Sequence, residues 1–565
     1  MIFTEQAEIE NYPQANKRER PVEKYVSVDE MVAIEREADS SGLTYDLMME
    51  NAGNNLANAV ENNYSTLKDR GILGLVGSGN NGGDTLVALS RLSQLGWRAR
   101  AYLARPRRAD DPLIEKLRQS GGEIYTGESN ADFSVLSHLL ISHAVILDGV
   151  LGTGVRLPLK KEVSSLLDLV QKTVADLEDI HVVAVDCPSG VDCDLGSAAP
   201  ECIPAELTVT MAAVKRGLLS FPSYNMVGRL QTVGIGLGEK SPMPEAWEKI
   251  KRIVPDRDWV AHNLPERPLD AHKGTFGTAL VIAGSINYTG AALLAGRAAY
   301  RAGAGLVSMA VPEPIYIVLA GHFPEATWLI LPDEVGVISK GAWHVVAEQL
   351  QRATAVLVGP GFGLEETTKA FLSDLLTDRG TSRRGSMSLV PSKKPDQAPL
   401  NKGLPPLVID ADGLKLLSRI QDWQKHLPPN SILTPHPGEM SILTGVSKDE
   451  IQKDRVSIAE RFAKDWGHVV ILKGAFSVVA SPGGDTAVIP IATPALARAG
   501  TGDVLAGLIV GLRAQGTDAW QAAVAGAWIH AEAGLHAAKR LGSTAAVLAG
   551  DVLESVVSVM ADLHY

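Results

Sequence analysis

The chain alternates short, continuously apolar runs with longer segments of helical periodicity. Continuous apolar strands are buried on both faces, as in parallel sheets. Repeated alternation of such strands with helices is typical of α/β proteins. The pattern predicts helices in 290–305 and 518–540, and strands in ILGLVG (72–77), AVILDG (144–149), VVAVDCPSG (182–190), ALVIAG (279–284), AVLVG (355–359), LVIDADG (407–413) and VVILKG (469–474).

Length and polar segments predict how the chain is divided. With 565 residues it exceeds one ordinary hydrophobic core, so two or more domains are expected. The stretch 238–272 is rich in Pro and charge and has little periodicity, which places the boundary there. A second polar stretch, 378–406, interrupts the second half and is interpreted as a flexible surface insertion between two strands.

Charge and composition narrow the class of protein. A net charge of −12 disfavours nucleic acid or an anionic membrane as the main partner, although nucleotides in local pockets stay open. No apolar run approaches the roughly 20 residues of a membrane span, and the N-terminal residues lack an apolar signal core. A cytoplasmic protein is therefore expected, with Cys187, Cys193 and Cys202 as reduced thiols.

Three strand ends in the first half carry polar chemistry: VGSGNNGGDT (76–85), DGVLGTGVRLP (148–158) and DCPSGVD (186–192). Ligands of open α/β sheets gather at the carboxyl ends of strands, so Asn81, Asp148, Asp186 and Ser189 are expected to converge on one site. Their oxygens suit a hard cation better than a soft metal. Taken singly, each Asp is equally well explained as a cap or turn residue.

These three motifs, with DLMMENAG (46–53) and VKRGLLSFP (214–222), resemble the N-terminal domain of the bifunctional NAD(P)H-hydrate repair enzymes over residues 27–240. The resemblance implies a Rossmann-like three-layer domain that epimerises the R and S forms of hydrated NADH and NADPH. It also implies K⁺ held by Asn81, Asp148 and Ser189, and Asp186 as the acid/base catalyst facing the reacting ring. The substrate-binding residues that it implies are Asn80, Asn81, Gly82, Gly83, Asp84, Gly152, Thr153, Gly154, Val155, Arg156, Leu157, Pro158 and Asp186.

AGTGDVLAG (499–507) is the most informative motif of the second half. Its glycines precede a helical pattern, and backbone N–H groups at a helix N-terminus favour an anion. Asp503 would repel a phosphate bound there unless it takes a proton from an attacking hydroxyl. An N-cap Asp is the plainer alternative, but a cap alone does not explain the preceding small residues. The motif resembles the signature of the ribokinase-like superfamily, in which this Asp is the base.

An ordered set of motifs refines that resemblance: 272–307, VGPGFG (358–363), LVIDADGL (407–414), TPHPGEMSILTG (434–445) and VVILKGA (469–475). Together they resemble the ADP- or ATP-dependent NAD(P)H-hydrate dehydratase domain over residues 260–565, which implies a ribokinase-like α/β fold and Mg²⁺ accompanying the nucleotide. The resemblance implies that Ala291, Gly361, His436 and Asp503 contact the hydrate. It implies that the adenine nucleotide contacts Lys473, Gly474, Ala475, Phe476, Ser477 and Gly502.

Two functional hypotheses follow. In the first, the N-terminal domain epimerises the hydrate and the C-terminal domain phosphorylates its hydroxyl, so that phosphate leaves and NAD(P)H returns. In the alternative, the C-terminal domain is a ribokinase-like kinase of a small molecule such as a vitamin precursor, and the N-terminal domain binds nucleotide without catalysis. Assembly into a homo-oligomer is expected because the superfamily often assembles.

Overall fold

The structure is a computed structural model that describes residues 22–108, 110–126, 133–239, 241–377 and 403–564. The predicted insertion at 378–406 therefore lies outside the described residues, apart from its last four positions. Within the described ranges, no helix is both long enough and apolar enough to cross a membrane.

The N-terminal half is built on a parallel sheet with helices on both faces. Its seven strands in the described residues follow the order β4-β3-β2-β5-β6-β7-β9. Helices α1 to α4 cover one face, and α5 and α6 cover the other. Every residue of β2 and β5 is buried, as the continuous apolar runs predict. The fold class of this half is the predicted Rossmann-like three-layer arrangement.

The strands of the N-terminal half are β1 (Glu23–Val26), β2 (Ile72–Val76), β3 (Ala99–Leu103), β4 (Glu123–Thr126), β5 (Val145–Gly149), β6 (His181–Val185), β7 (Leu207–Met211), β8 (Val214–Lys215), β9 (Arg229–Val233) and β10 (Arg252–Val254). The α-helices are α1 (Val28–Ser40), α2 (Tyr45–Tyr64), α3 (Asn80–Gln94), α4 (Pro112–Gln119), α5 (Ser134–Ile141), α6 (Lys161–Ala175), α7 (Tyr224–Val227), α8 (Glu245–Lys249) and α9 (Arg257–Asn263). Short 3₁₀ turns lie at Ser65–Arg70 and Arg216–Leu219.

The C-terminal half is a second layered α/β unit. Strands β13-β12-β11-β16-β17-β18-β19 are parallel to their neighbours, and β20 and β21 continue the sheet in antiparallel pairing. Helices α10, α18, α19 and α20 pack on one face, and α12, α13, α14 and α17 pack on the other. This arrangement agrees with the predicted ribokinase-like α/β class.

The strands of this half are β11 (Thr278–Ile282), β12 (Leu306–Pro312), β13 (Thr327–Leu331), β14 (Asp333–Glu334), β15 (Val337–Ile338), β16 (Ala355–Val358), β17 (Leu407–Ile409), β18 (Ile432–Leu433), β19 (Val469–Leu472), β20 (Val478–Ala480) and β21 (Thr486–Val488). Its α-helices are α10 (Thr289–Arg301), α11 (Glu313–His322), α12 (Trp343–Leu350), α13 (Glu366–Thr377), α14 (Asp412–Leu417), α15 (Pro437–Thr444), α16 (Lys448–Lys453), α17 (Arg455–Trp466), α18 (Thr501–Ala514), α19 (Ala519–Leu541) and α20 (Ala549–His564). Short 3₁₀ turns lie at Lys340–Ala342, Trp423–Lys425 and Pro494–Leu496.

The larger sheet crosses from one half of the chain into the other. After β21 it continues through β10, β1 and β8, so that twelve strands of the described chain form one sheet. Strand β1 pairs antiparallel with β10 and parallel with β8. The stretch 238–272, in which the sequence has little periodicity, contains α8, β10 and α9. Strands β1 and β10 lie outside the predicted domain bounds of 27–240 and 260–565, which stay a prediction.

Ion pairs and a shared apolar cluster reinforce this junction. Glu30 of α1 accepts from Arg216 at 3.2 Å and from Arg252 at 3.0 Å. Arg252 in turn pairs with Glu460 of α17 at 2.7 Å. The buried cluster beneath includes Tyr25 and Val488, one from each half. The halves are therefore joined by backbone, charge and apolar contacts together.

Candidate functional site

The N-terminal site lies at the switch point of its sheet. Strand order reverses between β2 and β5, and the carboxyl ends of these strands and of β6 point to one edge. Asn80 to Asp84, predicted to follow a strand end, form the first turns of α3, which begins at Asn80. A Cβ atom on Gly82 would lie 2.1 Å from the carbonyl oxygen of Gly77, which explains the glycine at this close approach.

The side chains predicted to hold a cation lie together. Both carboxylate oxygens of Asp148 accept from Ser189, at 2.8 Å from its backbone N–H and at 2.6 Å from its hydroxyl. Asn81 Nδ2 donates to the carbonyl oxygens of Leu151 at 2.8 Å and Val185 at 2.6 Å. The Ser189 hydroxyl also accepts from the Leu151 N–H at 2.9 Å.

The loop predicted to bind substrate, and by the resemblance its phosphates, is Gly152 to Pro158, which follows β5 and borders these side chains. A Cβ atom on Gly152 would lie 3.3 Å from Cγ of Asn81, so the loop and the start of α3 are in contact. Arg156 is exposed on the loop. Arg107 was not among the predicted site residues. It donates to the carbonyl oxygens of Gly77 at 2.8 Å and Gly79 at 3.2 Å and so stabilises the turn before α3.

Asp186 follows β6 with a left-handed backbone, φ +64°. Its Oδ1 accepts from the Met211 N–H at 2.9 Å, from the Thr210 hydroxyl at 3.1 Å and from Nζ of Lys215. A strained backbone persists only where surrounding contacts fix it, as these do. Lys215 belongs to the quoted motif VKRGLLSFP, but nothing in the sequence shows that its ammonium group is buried.

The C-terminal site also lies at a switch point, between β11 and β16. Gly500, φ +90°, is the N-cap of α18, and Asp503 lies within the first turn of this helix rather than before it. Burial raises the pKa of Asp503 to about 7, the charge of Asp410 adds to the rise, and Lys473 opposes it. A carboxyl that titrates near neutral pH beside a helix N-terminus is suited to proton transfer next to a phosphate.

A buried ion pair adjoins Asp503. Lys473 Nζ lies 2.6 Å from Oδ1 of Asp410 and 3.9 Å from Oε2 of Glu439. Burial alone would lower the pKa of Lys473, but these two carboxylates outweigh it and raise the pKa. A Cβ atom on Gly502 would lie 3.5 Å from Nζ of Lys473, which brings together these two predicted nucleotide contacts. The sequence analysis missed Asp410 and Glu439, although both lie in quoted motifs.

His436 caps α15 with its own side chain. Its Nδ1 accepts from the Gly438 N–H at 2.9 Å and the Glu439 N–H at 3.3 Å. Burial lowers the pKa of His436 to about 4, and the charge of Lys473 adds to this. The ring is therefore neutral at pH 7, and because Nδ1 accepts, Nε2 carries the proton and can donate it in a hydrogen bond.

The other predicted hydrate contacts, Ala291 and Gly361, are neighbours. Gly361 has φ +65°, and a Cβ atom there would lie 2.9 Å from Cβ of Ala291. Helix α10, which carries Ala291, packs against α18. Leu294, also on α10, lies beside Gly500 at the start of α18. These two residues therefore lie on the helix and the strand end that flank the Asp503 turn.

The loop Lys473–Ser477 reaches the junction between the two halves. Phe476 has φ +53° and is buried. Its ring lies 4.6 Å from the ring of Tyr224, edge to face, and 5.6 Å from that of Phe221. A bulky residue with positive φ is rare, so these aromatic contacts from the N-terminal half hold the loop in place.

If this loop binds adenine nucleotide, as the resemblance implies, replacing Tyr224 by Ala is expected to raise the KM for that nucleotide. An aromatic pair contributes about 0.5–1.5 kcal/mol, which corresponds to a roughly 2- to 12-fold increase if the whole effect reaches the loop. Steady-state kinetics at varied ADP concentration measure it. Tyr224→Phe, which keeps the ring, is the matched control. An unchanged KM in Tyr224→Ala would show that the loop holds its shape without this support.

The fold and site geometry define a two-domain α/β enzyme, with buried or half-buried carboxylates at the switch points of both sheets. A family model described as YjeF-related protein N-terminus matches residues 46–217, and one described as NAD(P)H-hydrate dehydratase matches residues 279–556. The bifunctional NAD(P)H-hydrate repair enzyme of Moorella thermoacetica is 34% identical over 95% of this chain and 97% of its own. That of Escherichia coli is 32% identical over 93% of this chain and 92% of its own.

The chain belongs to the family of bifunctional NAD(P)H-hydrate repair enzymes, as its motifs predict. A crystal structure of the ADP/ATP-dependent NAD(P)H-hydrate dehydratase from Bacillus subtilis, co-crystallised with ATP and Mg²⁺, aligns at 30% identity and a TM-score of 0.44. The alignment covers 55% of this chain and 99% of that chain.

Proposed function

We propose that the N-terminal site epimerises hydrated NADH and NADPH and that the C-terminal site dehydrates the S epimer at the expense of ADP or ATP. Family membership supports the pair of activities. The observation that carries the assignment of residues is Asp503, beside Lys473 at the N-terminus of α18, with a pKa raised to about 7. The proposed domain bounds are 27–240 for the epimerase and 260–565 for the dehydratase.

In the dehydratase, Asp503 takes the proton of the hydrate hydroxyl while its oxygen attacks the terminal phosphate of the nucleotide. The N–H groups of the turn Ala499 to Gly502 and the ammonium of Lys473 face the transferred phosphate and offset its charge. His436 donates its Nε2 hydrogen to the hydrate, and Ala291 and Gly361 form the apolar wall. The phosphate ester is a better leaving group than hydroxide, so phosphate departs with the electrons of the carbon–oxygen bond while the ring nitrogen forms a double bond to that carbon. Loss of a proton from the adjacent ring carbon then restores the reduced nicotinamide.

Mg²⁺ fits this site as a companion of the nucleotide. Among the described residues no group of three His, Cys, Asp or Glu side chains is arranged to hold a metal ion. Mg²⁺ commonly uses one or two carboxylates and the substrate phosphates. Asp410 and Glu439 are the buried carboxylates that would hold it, since Oδ2 of Asp410 faces the Gly502 turn. Bound there, Mg²⁺ would neutralise phosphate charge.

K⁺ fits the N-terminal site. Asp148 is fully buried, and no lysine, arginine or histidine of the described ranges forms an ion pair with it. Buried charges are normally paired or coordinate a metal, and the donors of Asn81, Asp148 and Ser189 are hard oxygens. Their place beside Gly152 suggests that K⁺ orders the phosphate-binding loop.

Asp148→Asn is expected to remove most of the K⁺ dependence of epimerisation, because the carboxylate is the only full negative charge in the proposed ligand set. Rates in KCl, LiCl and choline chloride at constant ionic strength measure that dependence. Dehydration of pure S hydrate by the same variant is the control, and it should keep the wild-type rate. A variant that responds to KCl as the wild type does would argue against this K⁺ site.

The proposal is tested with mixed R and S hydrates, ADP or ATP, Mg²⁺ and K⁺, by following the return of reduced-nicotinamide absorbance. Complete recovery supports both activities, whereas recovery of the S fraction alone removes the epimerase assignment. No recovery with either nucleotide would return attention to the small-molecule kinase alternative, which the comparisons do not favour. Such a kinase would leave a stable phosphorylated product.

The proposal also covers the cellular location and the oligomeric state of the protein. Cys187, Cys193 and Cys202 are free and buried, which fits the reducing cytoplasm. A homo-oligomer is proposed from the superfamily resemblance, and light scattering of the purified chain tests it.

A further inference from the structure

Lys215 is a fully buried lysine in the N-terminal site to which the proposed function assigns no role. Only 1% of its surface is exposed, which places it among the large, fully buried side chains of the described residues. Its Nζ donates to Oδ1 of Asp186, to the Thr210 hydroxyl at 3.1 Å and to the Met211 carbonyl at 2.7 Å. A lysine is almost never fully buried without a partner, and the partner of Lys215 is Asp186, the proposed catalytic carboxylate.

Two further carboxyl groups, those of Asp84 and Glu35, lie close enough to the Lys215 ammonium group to interact with its charge. Asp84 of α3 is almost completely buried, and no described group donates a hydrogen bond to its carboxyl. Burial raises the pKa of Asp84 well above its usual range, and the charges of Asp186 and Glu35 add to the rise. Burial also raises the pKa of Glu35, on α1, against the opposing charge of Lys215.

The neighbouring thiol does not compete for the role of base. Cys187 follows Asp186 directly, and its contact with Cys193 together with burial raises the pKa of this thiol well above its usual range. One ammonium group thus faces three carboxyls, and its direct hydrogen bond goes to Asp186 alone among them. An ammonium group favours the charged form of the carboxyl to which it donates a hydrogen bond over that of carboxyls it does not contact.

The substrate needs an acid and a base. Water adds to a dihydronicotinamide at the ring carbon bonded to nitrogen, because the nitrogen lone pair stabilises positive charge at that carbon. The product is a hemiaminal, and its R and S forms differ at this carbon. Inversion is achieved when the hydroxyl leaves from one face and water returns to the other, and these steps need a proton donor and a proton acceptor.

We propose that Lys215 is a positioning residue that fixes Asp186 as the proton acceptor of the epimerase and leaves Asp84, which it does not contact, as the proton donor. This inference rests on the proposed epimerase function. Asp186 Oδ1 is occupied by Lys215, Thr210 and Met211, so Oδ2 is the oxygen that meets the substrate.

The proposed inversion consists of loss of water from one face of the ring and addition of water to the other. Asp84 gives its proton to the hydroxyl, the carbon–oxygen bond breaks, and water leaves while the ring-nitrogen lone pair forms a carbon–nitrogen double bond. Water then attacks the opposite face of this carbon, the electron pair returns to nitrogen, and Asp186 takes the proton that the water releases. One proton has passed from Asp84 to Asp186, and exchange with solvent restores both groups. No oxidant, reductant or nucleotide is consumed.

The test compares Lys215→Met, Lys215→Arg and Asp84→Asn in the full chain. Pure R hydrate is supplied without nucleotide, and the two epimers are separated by chromatography over time. Lys215→Met is expected to lower kcat about 10²-fold and to move the acid limb of the pH profile about one unit or more to higher pH. Lys215→Arg keeps the charge and should restore part of the rate. Asp84→Asn should lose a similar factor with little change in KM.

Controls separate this inference from the function on which it rests. Dehydration of pure S hydrate with ADP by each variant shows that the chain is folded. If the wild type does not epimerise, the proposed function fails, whatever the variants do. If the wild type is active but Lys215→Met keeps its kcat and its pH profile, the role of Lys215 is refuted. If Glu35→Gln, rather than Asp84→Asn, loses activity, the assignment of Asp84 is refuted.

Oxygen-18 water gives a second readout. Loss and return of water predicts one solvent oxygen in the hydroxyl for each inversion, detected by mass spectrometry of the separated epimers. Inversion without oxygen exchange would contradict the proposed step in the wild type. In Lys215→Met, exchange and inversion should fall by the same factor.

Discussion

Replacing Asp503 by Asn is expected to lower kcat of the dehydratase about 10²–10⁴-fold, the range ascribed to a general base. Asn has the same shape but cannot take the hydroxyl proton, whereas Lys473 and the Gly502 turn remain to bind nucleotide. The KM for ADP should therefore change little. The measurement is the return of reduced-nicotinamide absorbance from S hydrate with ADP and Mg²⁺.

The wild-type pH profile offers an independent check of the same residue. Burial, with Asp410 adding, raises the pKa of Asp503 to about 7, and the base must be deprotonated to act. The kcat/KM is therefore expected to rise as pH increases through about 7, and this limb should be absent from the residual activity of Asp503→Asn. Asp518→Asn, at the N-cap of α19, is the matched control and should behave as the wild type. Full activity of Asp503→Asn would refute the assignment.

Replacing Asp186 by Asn is expected to abolish enzymatic epimerisation and to leave dehydration intact. With mixed hydrates and excess ADP, the variant should recover only the S fraction, followed by slow drift from spontaneous inversion. The reason is the loss of the proton acceptor, and kcat for R-to-S conversion should fall about 10²–10⁴-fold. Chromatography of the epimers without nucleotide measures this step directly.

The variant needs a stability control because it leaves the Lys215 ammonium buried without its carboxylate. Removing one partner of a buried pair is destabilising, so the melting temperature should fall. An unchanged dehydratase rate at the assay temperature shows that the chain remains folded. Asp179→Asn, at an exposed position, is the matched substitution and should change neither activity. R-to-S conversion by Asp186→Asn at the wild-type rate would remove Asp186 from the proposed mechanism.

The features that could be predicted are those that leave a pattern in a short stretch of sequence. Buried parallel strands are continuously apolar, so the strand ends that carry Asp148, Asp186 and Asp410 are visible in the sequence. Glycine-rich turns indicated where both sites lie. Two backbone segments approach so closely at such a turn that there is no room for a Cβ atom, as at Gly82. What the motifs could not give was where the helices begin, since Asn80 and Thr501 already belong to helices.

The parts that escaped prediction depend on contacts between distant segments. Lys215 is one of 53 lysines and arginines, and its burial follows from β8 lying beside β1, which no local pattern reveals. Phe476 directly follows the quoted motif VVILKGA (469–475), but its aromatic neighbours come from a segment about 250 residues earlier. Strand β1 is too short to show alternation, and it finds its partners only in the assembled sheet.

The position of β1 has a consequence for dissecting the chain. A cut in the segment 241–244 would leave β1 on the first fragment and its antiparallel partner β10 on the second. The pieces would still hold complementary edges, with the Glu30–Arg252 ion pair across the cut. They would behave as a split enzyme whose fragments reassemble by strand addition, so a chain nicked there by a protease would stay in one piece until it is unfolded.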